Sequence, residues 1–397
     1  MLVVSCETFL NKGKKMTVNQ VYELVNGTTS QILGESSIVK EDLSNIIDIG
    51  KSIVDNDNVD NYVKSLVDRI GRTIFVDRKY NGRVPSVVMD SWEFGSVLQK
   101  ISSNLPEATE NESWELTDGT SYDPNIFYKP SVEVKFFNSK STFEIPMSFT
   151  TKQIKESFTS AENLNAFLSM LYSSVEKSIT VKIDSLVMRT INNMIAQTFS
   201  NDSNGVRAVN LLEKYNALGN TLTADKAITD SEFLRFASMQ MALTANRMGV
   251  MSSIFNSENK PRFTPKDKLH TVLLSDFAEG AKTYLYGDTF HEEFIKFPTS
   301  ETVPYWQGSG TSFDFNDVSS IKVTIKDGSS TKDVEKSGIL GVMFDRDSLG
   351  VSNLDRRVTT NYNPKAEFYN NWYKFDAGYF NDLSENFVVF YVEDSNN

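Results

Sequence analysis

Residues that could carry catalysis or bind a transition metal are few in this sequence. The 397 residues include two histidines, His270 and His291, and one cysteine, Cys6. His291 is followed by two glutamates, but no second histidine stands four residues later, as a helical zinc site requires. His270 heads the apolar stretch KLHTVLLS, which predicts a hydrogen-bonded structural histidine. Three such scattered residues do not indicate a zinc site, and we expect no metal and no cofactor.

Carboxylate pairs are the remaining candidates for chemistry. Asp345 and Asp347 close the apolar stretch GILGVMFD, where two carboxylates could hold a divalent cation in an α/β enzyme. The same spacing is typical of a solvated turn with local ion pairing, which we favour. Residues 55–60, DNDNVD, lack the glycine and the twelfth-position glutamate of an EF-hand loop. Gly308 and Gly310 are too close and wrongly flanked for a phosphate-binding loop, so we expect that the protein is not an enzyme.

Charge and hydropathy argue against two further classes of protein. The chain carries 52 acidic and 40 basic residues, for a net charge of −12, and shows no concentrated basic stripe. Proteins that bind nucleic acid through its phosphates normally carry such a stripe, so we expect no specific nucleic-acid binding. No apolar run reaches the roughly 18 residues needed to cross a bilayer, and we expect no membrane association. The 27 Phe and 15 Tyr suit large packed interfaces.

The first residues raise a question about the start of translation. Lys12-Gly13-Lys14-Lys15 precedes Met16, and a purine-rich bacterial ribosome-binding site would encode these residues if it were translated. We therefore interpret residues 1–15 as a possible upstream extension that is not translated in vivo. The intact mass of the natively expressed protein would decide between Met1 and Met16.

The elements that would position any site begin with an extended excursion at residues 92–149. Alternating apolar and polar residues predict strands in SVEVKFF (131–137) and STFEIPMSF (141–149). The polar, turn-rich segment ENESWELTDGTSYDPN precedes them and predicts a solvated tip. Because about 15 extended residues span roughly 50 Å, this excursion reaches farther than a compact domain requires.

A long helix follows the excursion. Residues 147–204 contain neither proline nor glycine, and apolar residues recur at steps of three and four from Leu164 to Met194. This pattern predicts a helix of about 40 residues, close to 60 Å long. The heptad spacing is not kept, which disfavours a coiled coil.

An α/β unit is predicted at residues 206–300. Its helices are SEFLRFASMQMALTANRMG and DFAEGAKTYLYG, and its buried strand is KLHTVLLS. Farther along the chain, GILGVMFD is predicted as another buried strand, and the tail ends in the apolar strand FVVFYV. IKVTIKDG carries a hairpin signal.

This order of elements resembles that of the major capsid proteins of tailed bacteriophages, which have the Hong Kong 97-type fold. Segments similar to those of small short-tailed phages (Picovirinae-like podoviruses) are DNYVKSLVDRIGRTI (60–74), FTSAENLNAFLSMLYSSVEKSITVKIDSLV (158–187), KDKLHTVLLSDFAEGAKTYLYGDTF (266–290), GVMFDRDSLGV (341–351) and VTTNYNPKAEFYNNWYK (358–374). They occur in a consistent order along most of residues 55–392. The resemblance implies an α+β, Hong Kong 97-like fold.

The resemblance also implies a domain organisation. It places an N-terminal arm at 16–60, the start of a peripheral domain at 61–91, an extended E-loop at 92–149, the peripheral domain with its spine helix at 150–205, an α/β axial domain at 206–340 and return strands at 341–397. The candidate interface residues are six aromatic residues and one acidic residue from the E-loop and the C-terminal tail: Trp92, Trp114, Asp118, Tyr122, Phe127, Trp372 and Tyr373.

The function that the resemblance implies is assembly. Copies of the chain would form pentamers and hexamers of an icosahedral or prolate shell around double-stranded DNA, without binding the DNA specifically. Assembly would take place in the host bacterial cytoplasm with scaffolding and portal proteins, through a precursor shell that expands as DNA enters. The alternatives are an encapsulin-type nanocompartment and an α/β enzyme that uses Asp345 and Asp347. We expect that deleting residues 107–123 leaves a folded subunit that cannot form shells.

Overall fold

The computed structural model describes residues 18–33, 39–40, 44–55, 62, 65, 83–89, 98–103, 106, 108, 115–129, 131–150, 152–153, 161–202, 204–286, 300–307, 318–327 and 330–394. The possible start at Met16, the histidine His291, the glycines at 308 and 310, and both Trp92 and Trp114 lie outside these described residues. Of the acidic run 55–60, only Asp55 is described.

Helices and strands are mixed along the described chain, as an α+β protein requires. The helices are α1 (Val18–Leu33), α2 (Ile46–Asp55), α3 (Ala161–Asn201), α4 (Leu211–Asn216), α5 (Ala224–Ala227), α6 (Ser231–Met248) and α7 (Ser275–Tyr286). The strands are β1 (Val88–Met89), β2 (Leu98–Ser103), β3 (Val132–Phe137), β4 (Lys140–Thr150), β5 (Ala208–Asn210), β6 (Leu269–Leu274), β7 (Ser300–Val303), β8 (Ile321–Asp327), β9 (Ser330–Lys336), β10 (Ile339–Asp345), β11 (Leu349–Asn363), β12 (Phe368–Asn381) and β13 (Phe387–Tyr391).

The predicted long helix is confirmed as α3, which has 41 residues. Without proline or glycine, nothing in its backbone interrupts the hydrogen-bond ladder. Val175, Ile183, Val187, Ile191 and Met194 are buried at steps of three, four and eight residues. Between Leu186 and Thr198, residues that point in other directions, such as Met188 and Ala196, are buried as well, so this part of the helix is covered on more than one side. Among the described residues, no helix is long and apolar enough to cross a membrane.

Two compact units divide the chain. Unit 1 comprises 1–82, 141–183 and 353–377, and unit 2 comprises 83–140, 184–352 and 378–397. Boundaries fall inside α3, β4, β11 and β12, so these elements contribute residues to both units. The domain boundaries expected from the resemblance follow a different division, and they stay predictions.

The core of unit 2 is a five-stranded mixed sheet with the strand order β5-β13-β10-β6-β7. Every residue of β6 and β10 is buried, as expected of central strands covered on both faces. This confirms the predicted buried strands KLHTVLLS, GILGVMFD and FVVFYV. Phe344 of β10 stacks on Phe387 of β13 with ring centroids 5.7 Å apart. The hairpin signal in IKVTIKDG is also confirmed, because β8 pairs antiparallel with β9.

A second sheet has four strands in the order β1-β11-β12-β4, and most of β11 and of β12 belongs to unit 1. The Ser148 hydroxyl of β4 donates to the Asn370 side chain of β12 at 2.6 Å, and Phe143 packs on Phe375 at 5.0 Å. A turn at residues 364–367 joins β11 to β12, and the side chain of Asn363 accepts the amide of Lys365. The Asn-Pro pair of the segment VTTNYNPKAEFYNNWYK, Asn363-Pro364, therefore lies at this turn.

Candidate subunit interface

The strands β2 and β3 form an antiparallel two-stranded ribbon in unit 2, which we call the ribbon. Leu98 lies opposite Phe137 at one end, and Ser103 lies opposite Val132 at the other. Because side chains alternate along a strand, the ribbon has two rows. The outward row contains Gln99, Ile101, Ser103, Val132, Val134 and Phe136, and the inward row contains Leu98, Lys100, Ser102, Glu133, Lys135 and Phe137.

The outward row is exposed although it is largely apolar. Ile101 is 64% exposed and Phe136 is 65% exposed, and Val132 and Val134 beside them are also exposed. Folding normally buries the apolar row of a half-covered ribbon. A contiguous apolar surface that the folded subunit leaves in solvent is typical of a contact with another protein.

The inward row is charged. Lys100 and Lys135 stand directly opposite each other across the two strands. Like charges in such a pair repel, and the ribbon alone would be destabilised by them. The carboxylate of Asp382 lies between the two, with one oxygen 2.7 Å from the Lys100 Nζ and the other 3.1 Å from the Lys135 Nζ. The Asp382 side chain is fully buried, so this pairing occurs away from bulk water.

Further ion pairs extend from this centre. Lys100 also contacts Glu385 at 2.7 Å, and Lys135 contacts Glu258 at 2.6 Å. In this third pair the ribbon supplies the anion: the Glu133 carboxylate accepts a hydrogen bond from the Lys260 Nζ at 2.5 Å. We call Lys100, Lys135, Glu133, Asp382, Glu385, Glu258, Lys260 and Arg262 the ion cluster; Arg262 contacts Glu385 at 3.4 Å. The ribbon is therefore attached to the rest of unit 2 by its charged row.

The electrostatics of the ion cluster are visible in its pKa values. Burial alone would raise the pKa of Asp382. The charge and hydrogen bond of Lys100, together with hydrogen bonds from the hydroxyl and amide of Ser384, instead lower this pKa to about 2. Burial raises the pKa of Glu385, and Lys100 only partly offsets that effect. Burial would lower the pKa of Lys135, yet Glu258 and Asp382 outweigh it and hold this pKa above its ordinary value. Asp382 is therefore the carboxylate that is most strongly held ionised.

Residues 115–129 contain three of the predicted interface residues. Asp118, Tyr122 and Phe127 are all exposed, and Phe127 is 83% exposed. The Tyr122 hydroxyl accepts the amide of Thr117 at 3.2 Å, across a turn in which Gly119 has φ +84°. The segment thus presents aromatic side chains to solvent, as the predicted tip of the excursion would.

The predicted interface residues of the tail lie in unit 1, on β12. Trp372 is half-buried, whereas Tyr373 is fully buried and points to the opposite side of the sheet. A side chain enclosed within the subunit cannot form a contact surface, so we do not carry Tyr373 forward. Trp92 and Trp114 fall outside the described residues, and their placement in the interface stays a prediction.

The residues considered for chemistry have structural surroundings. Asp345 is buried, and its carboxylate accepts the amide of Asp347, whose own carboxylate contacts Lys268 at 2.9 Å. This is the turn that the sequence favoured. His270 is buried in β6 and stacks on Phe344, but neither ring nitrogen has a hydrogen-bond partner among the residues that the structure describes. The hydrogen bond expected for His270 is not found there, and burial lowers the pKa of its ring.

A metal site would need at least three His, Cys, Asp or Glu side chains close together. No such group is found in the part of the chain that the structure describes. Sequence reasoning missed the ion cluster. The signal that could have indicated it is the alternation in VEVKFF and LQKISS, which places every lysine and glutamate of these strands in one row and most of their apolar residues in the other.

Comparison of the fold with solved structures identifies the class of protein. A chain in the capsid structure of Staphylococcus phage Andhra matches with a TM-score of 0.53 at 10% identity, covering 80% of this chain and 86% of that one. A chain in the structure of the head fibre and inner core protein gp22 of native bacteriophage P68 matches with a TM-score of 0.50 at 9% identity, with the same coverage. The fold is that of the Hong Kong 97-like phage capsid proteins.

The sequence itself specifies the family. The model of the Phi29-like phage major capsid protein family matches residues 25–391, and the chain belongs to that family. No curated protein matches the sequence. The protein is a structural component of a phage capsid, and the encapsulin-type and enzymatic alternatives are not favoured.

Proposed function

We propose that this major capsid protein builds pentamers and hexamers of an icosahedral or prolate shell that encloses double-stranded DNA. Assembly starts from a scaffolded precursor shell in the host bacterial cytoplasm, and the shell expands as DNA enters. Scaffolding and portal proteins are the expected partners. Membership of the Phi29-like family supports the capsid role. The shape of the shell, its expansion and its scaffolding and portal partners are proposed in addition to that role.

The observation that carries the proposal is the exposed apolar outward row of the ribbon. Ile101 and Phe136 are each about two-thirds exposed, on a ribbon that the subunit holds by its other row. Contacts that close a ring pair a surface on one copy with a different surface on the next copy. The outward row, with Phe127 and Tyr128 of segment 115–129, supplies the first of these two surfaces.

The acidic charge of the chain is compatible with the proposed contents of the shell. A chain with a net charge of −12 repels the phosphates of DNA, and salt screens that repulsion within about 8–10 Å. The shell therefore confines double-stranded DNA without binding it specifically. The same acidic balance keeps unassembled subunits soluble.

The test removes the tip of the excursion. Deleting residues 107–123 leaves a folded subunit and abolishes shells, observed by negative-stain microscopy of the protein co-expressed with its neighbouring genes. Thr120→Ser, an exposed polar replacement in the same segment, serves as the control and assembles normally. Normal particles from the deletion would contradict the proposed contact. Particles filled with a cargo protein in place of DNA would instead support a nanocompartment.

A further inference from the structure

The ribbon cannot be held in place by apolar burial alone. A two-stranded ribbon is only marginally stable by itself, and most of the apolar surface of this one faces solvent. At one end of the ribbon, Phe137 packs on Phe380 of unit 2 with ring centroids 5.1 Å apart. Between its ends the ribbon is attached by charged side chains: Lys100 and Lys135 pair with the Asp382 carboxylate, and Lys100 also donates to the Asp347 carbonyl at 3.2 Å.

The ion cluster is balanced in charge and arranged around one residue. Its four cations are Lys100, Lys135, Lys260 and Arg262, and its four anions are Glu133, Glu258, Asp382 and Glu385. Asp382 contacts both ribbon lysines and also accepts the amide and hydroxyl of Ser384, which fix its carboxylate. Without the Asp382 charge, the two opposed lysines would repel each other at a half-buried site.

We propose that the ion cluster is a latch that holds the ribbon on unit 2 with its apolar row facing outward. Neutralising Asp382 releases the ribbon while β2, β3 and the five-stranded sheet stay folded. The latch thereby controls whether a subunit presents the outward row to the next copy, and this use of the row rests on the proposed function. The latch itself depends only on contacts within one subunit.

The physical basis of the latch is directional. A charged side chain forms an ion pair only where an opposite charge lies within reach. The positions of the partner charges therefore fix the strand register of the ribbon and the face that it turns toward unit 2. A slip of one residue would turn the charged row away from its partners, because successive side chains of a strand face opposite sides. The charged row thus leaves the apolar row available for another molecule.

Chemical modification of lysine tests the latch in the unassembled subunit. The side chains of Lys100, Lys135 and Lys260 are 23%, 22% and 25% exposed, and the Nζ atom of each contacts a carboxylate. Acetylation by an N-hydroxysuccinimide ester, measured by mass spectrometry, reports how often each Nζ atom is free. We expect that Asp382→Asn raises the acetylation rates of all three lysines by roughly tenfold or more, which corresponds to about 1.4 kcal/mol.

A second variant covers the case in which Asp382→Asn fails to fold. Lys100→Met with Lys135→Met changes the ribbon alone, and the acetylation rate of Lys260 reports release of Glu133. That rate rises roughly tenfold as well. Glu335→Gln is the matched control, because it breaks the exposed Lys322–Glu335 pair of the β8–β9 hairpin, 2.8 Å long, and leaves all three rates unchanged.

Rates within twofold of wild type in both folded ribbon-releasing variants would overturn the latch and leave the proposed function standing. Failure of the wild-type chain to form shells, with its lysines protected as expected, would contradict the proposed function and leave the latch standing. The two ideas therefore fail separately.

Discussion

The contact role of the outward row can be tested by removing its apolar surface. The double replacement Ile101→Ser with Phe136→Ser changes two side chains that are 64% and 65% exposed in the subunit. Fully burying a side chain of this kind contributes about 1.5–3 kcal/mol. About two-thirds of that remains to be gained at a contact, so the pair contributes roughly 2–4 kcal/mol to each contact. The variant should weaken each contact roughly 30- to 900-fold.

The assay compares the subunit concentration at which half of the protein sediments as shells with the midpoint of urea unfolding. We expect the assembly concentration to rise steeply and the unfolding midpoint to stay near that of wild type, because both side chains are already exposed in the folded subunit. Gln99→Ser is the matched control, since Gln99 lies directly opposite Phe136 on the same row but is polar. Assembly of the folded double variant at wild-type concentrations would refute the reasoning, as would equal damage from the control.

Three further predictions concern the stability of the subunit. Gly338→Ala should destabilise the subunit by more than about 4 kcal/mol in urea unfolding, because Gly338 has φ +73° and a Cβ would lie 2.0 Å from the Val392 carbonyl oxygen. Gly219→Ala, at φ +98° in open space, should cost only about 1–2 kcal/mol, and equal losses would contradict this account. The pKa of Asp382 is lower in the folded state than in the unfolded state, so its ionised carboxylate stabilises the folded state above pH 4 by about 2 kcal/mol. This stabilisation is lost as the pH falls from about 4 to about 2. The Asp382→Asn variant should not show that loss when its unfolding is measured at about pH 5 and about pH 2.5. Trp306→Phe should lower the free energy of unfolding by about 2 kcal/mol, because it removes a 2.9 Å hydrogen bond from the buried indole to the first carbonyl of β10; an unchanged unfolding midpoint would count against that bond.

Much of the fold could be predicted from local sequence patterns. The run without proline or glycine indicated α3, and the continuous apolar stretches indicated β6, β10 and β13, because these signals depend on neighbouring residues alone. The long strands β11 and β12 were harder. In β11, charged residues such as Asp355 and Arg357 interrupt the apolar pattern, and the strand is supported by cross-strand pairs such as Arg357 with Asp376 at 2.9 Å.

The candidate site depends on contacts that no local pattern contains. Lys100 and Asp382 are 282 positions apart in the sequence, and only the folded chain brings them together. The difference between Trp372 and Tyr373 has a similar cause. Neighbouring residues of a strand face opposite sides, and the sequence does not state which side of β12 is covered. Aromatic content predicted an interface, but the register of the sheet decided which aromatic residues can join it.

The central claim is that the chain acts by assembling into a closed shell. Negative-stain microscopy of the protein, co-expressed with its neighbouring genes, tests this claim most directly. The account predicts uniform polyhedral particles that contain double-stranded DNA. Monomers or small oligomers that persist under these conditions, with the subunit folded, would contradict it.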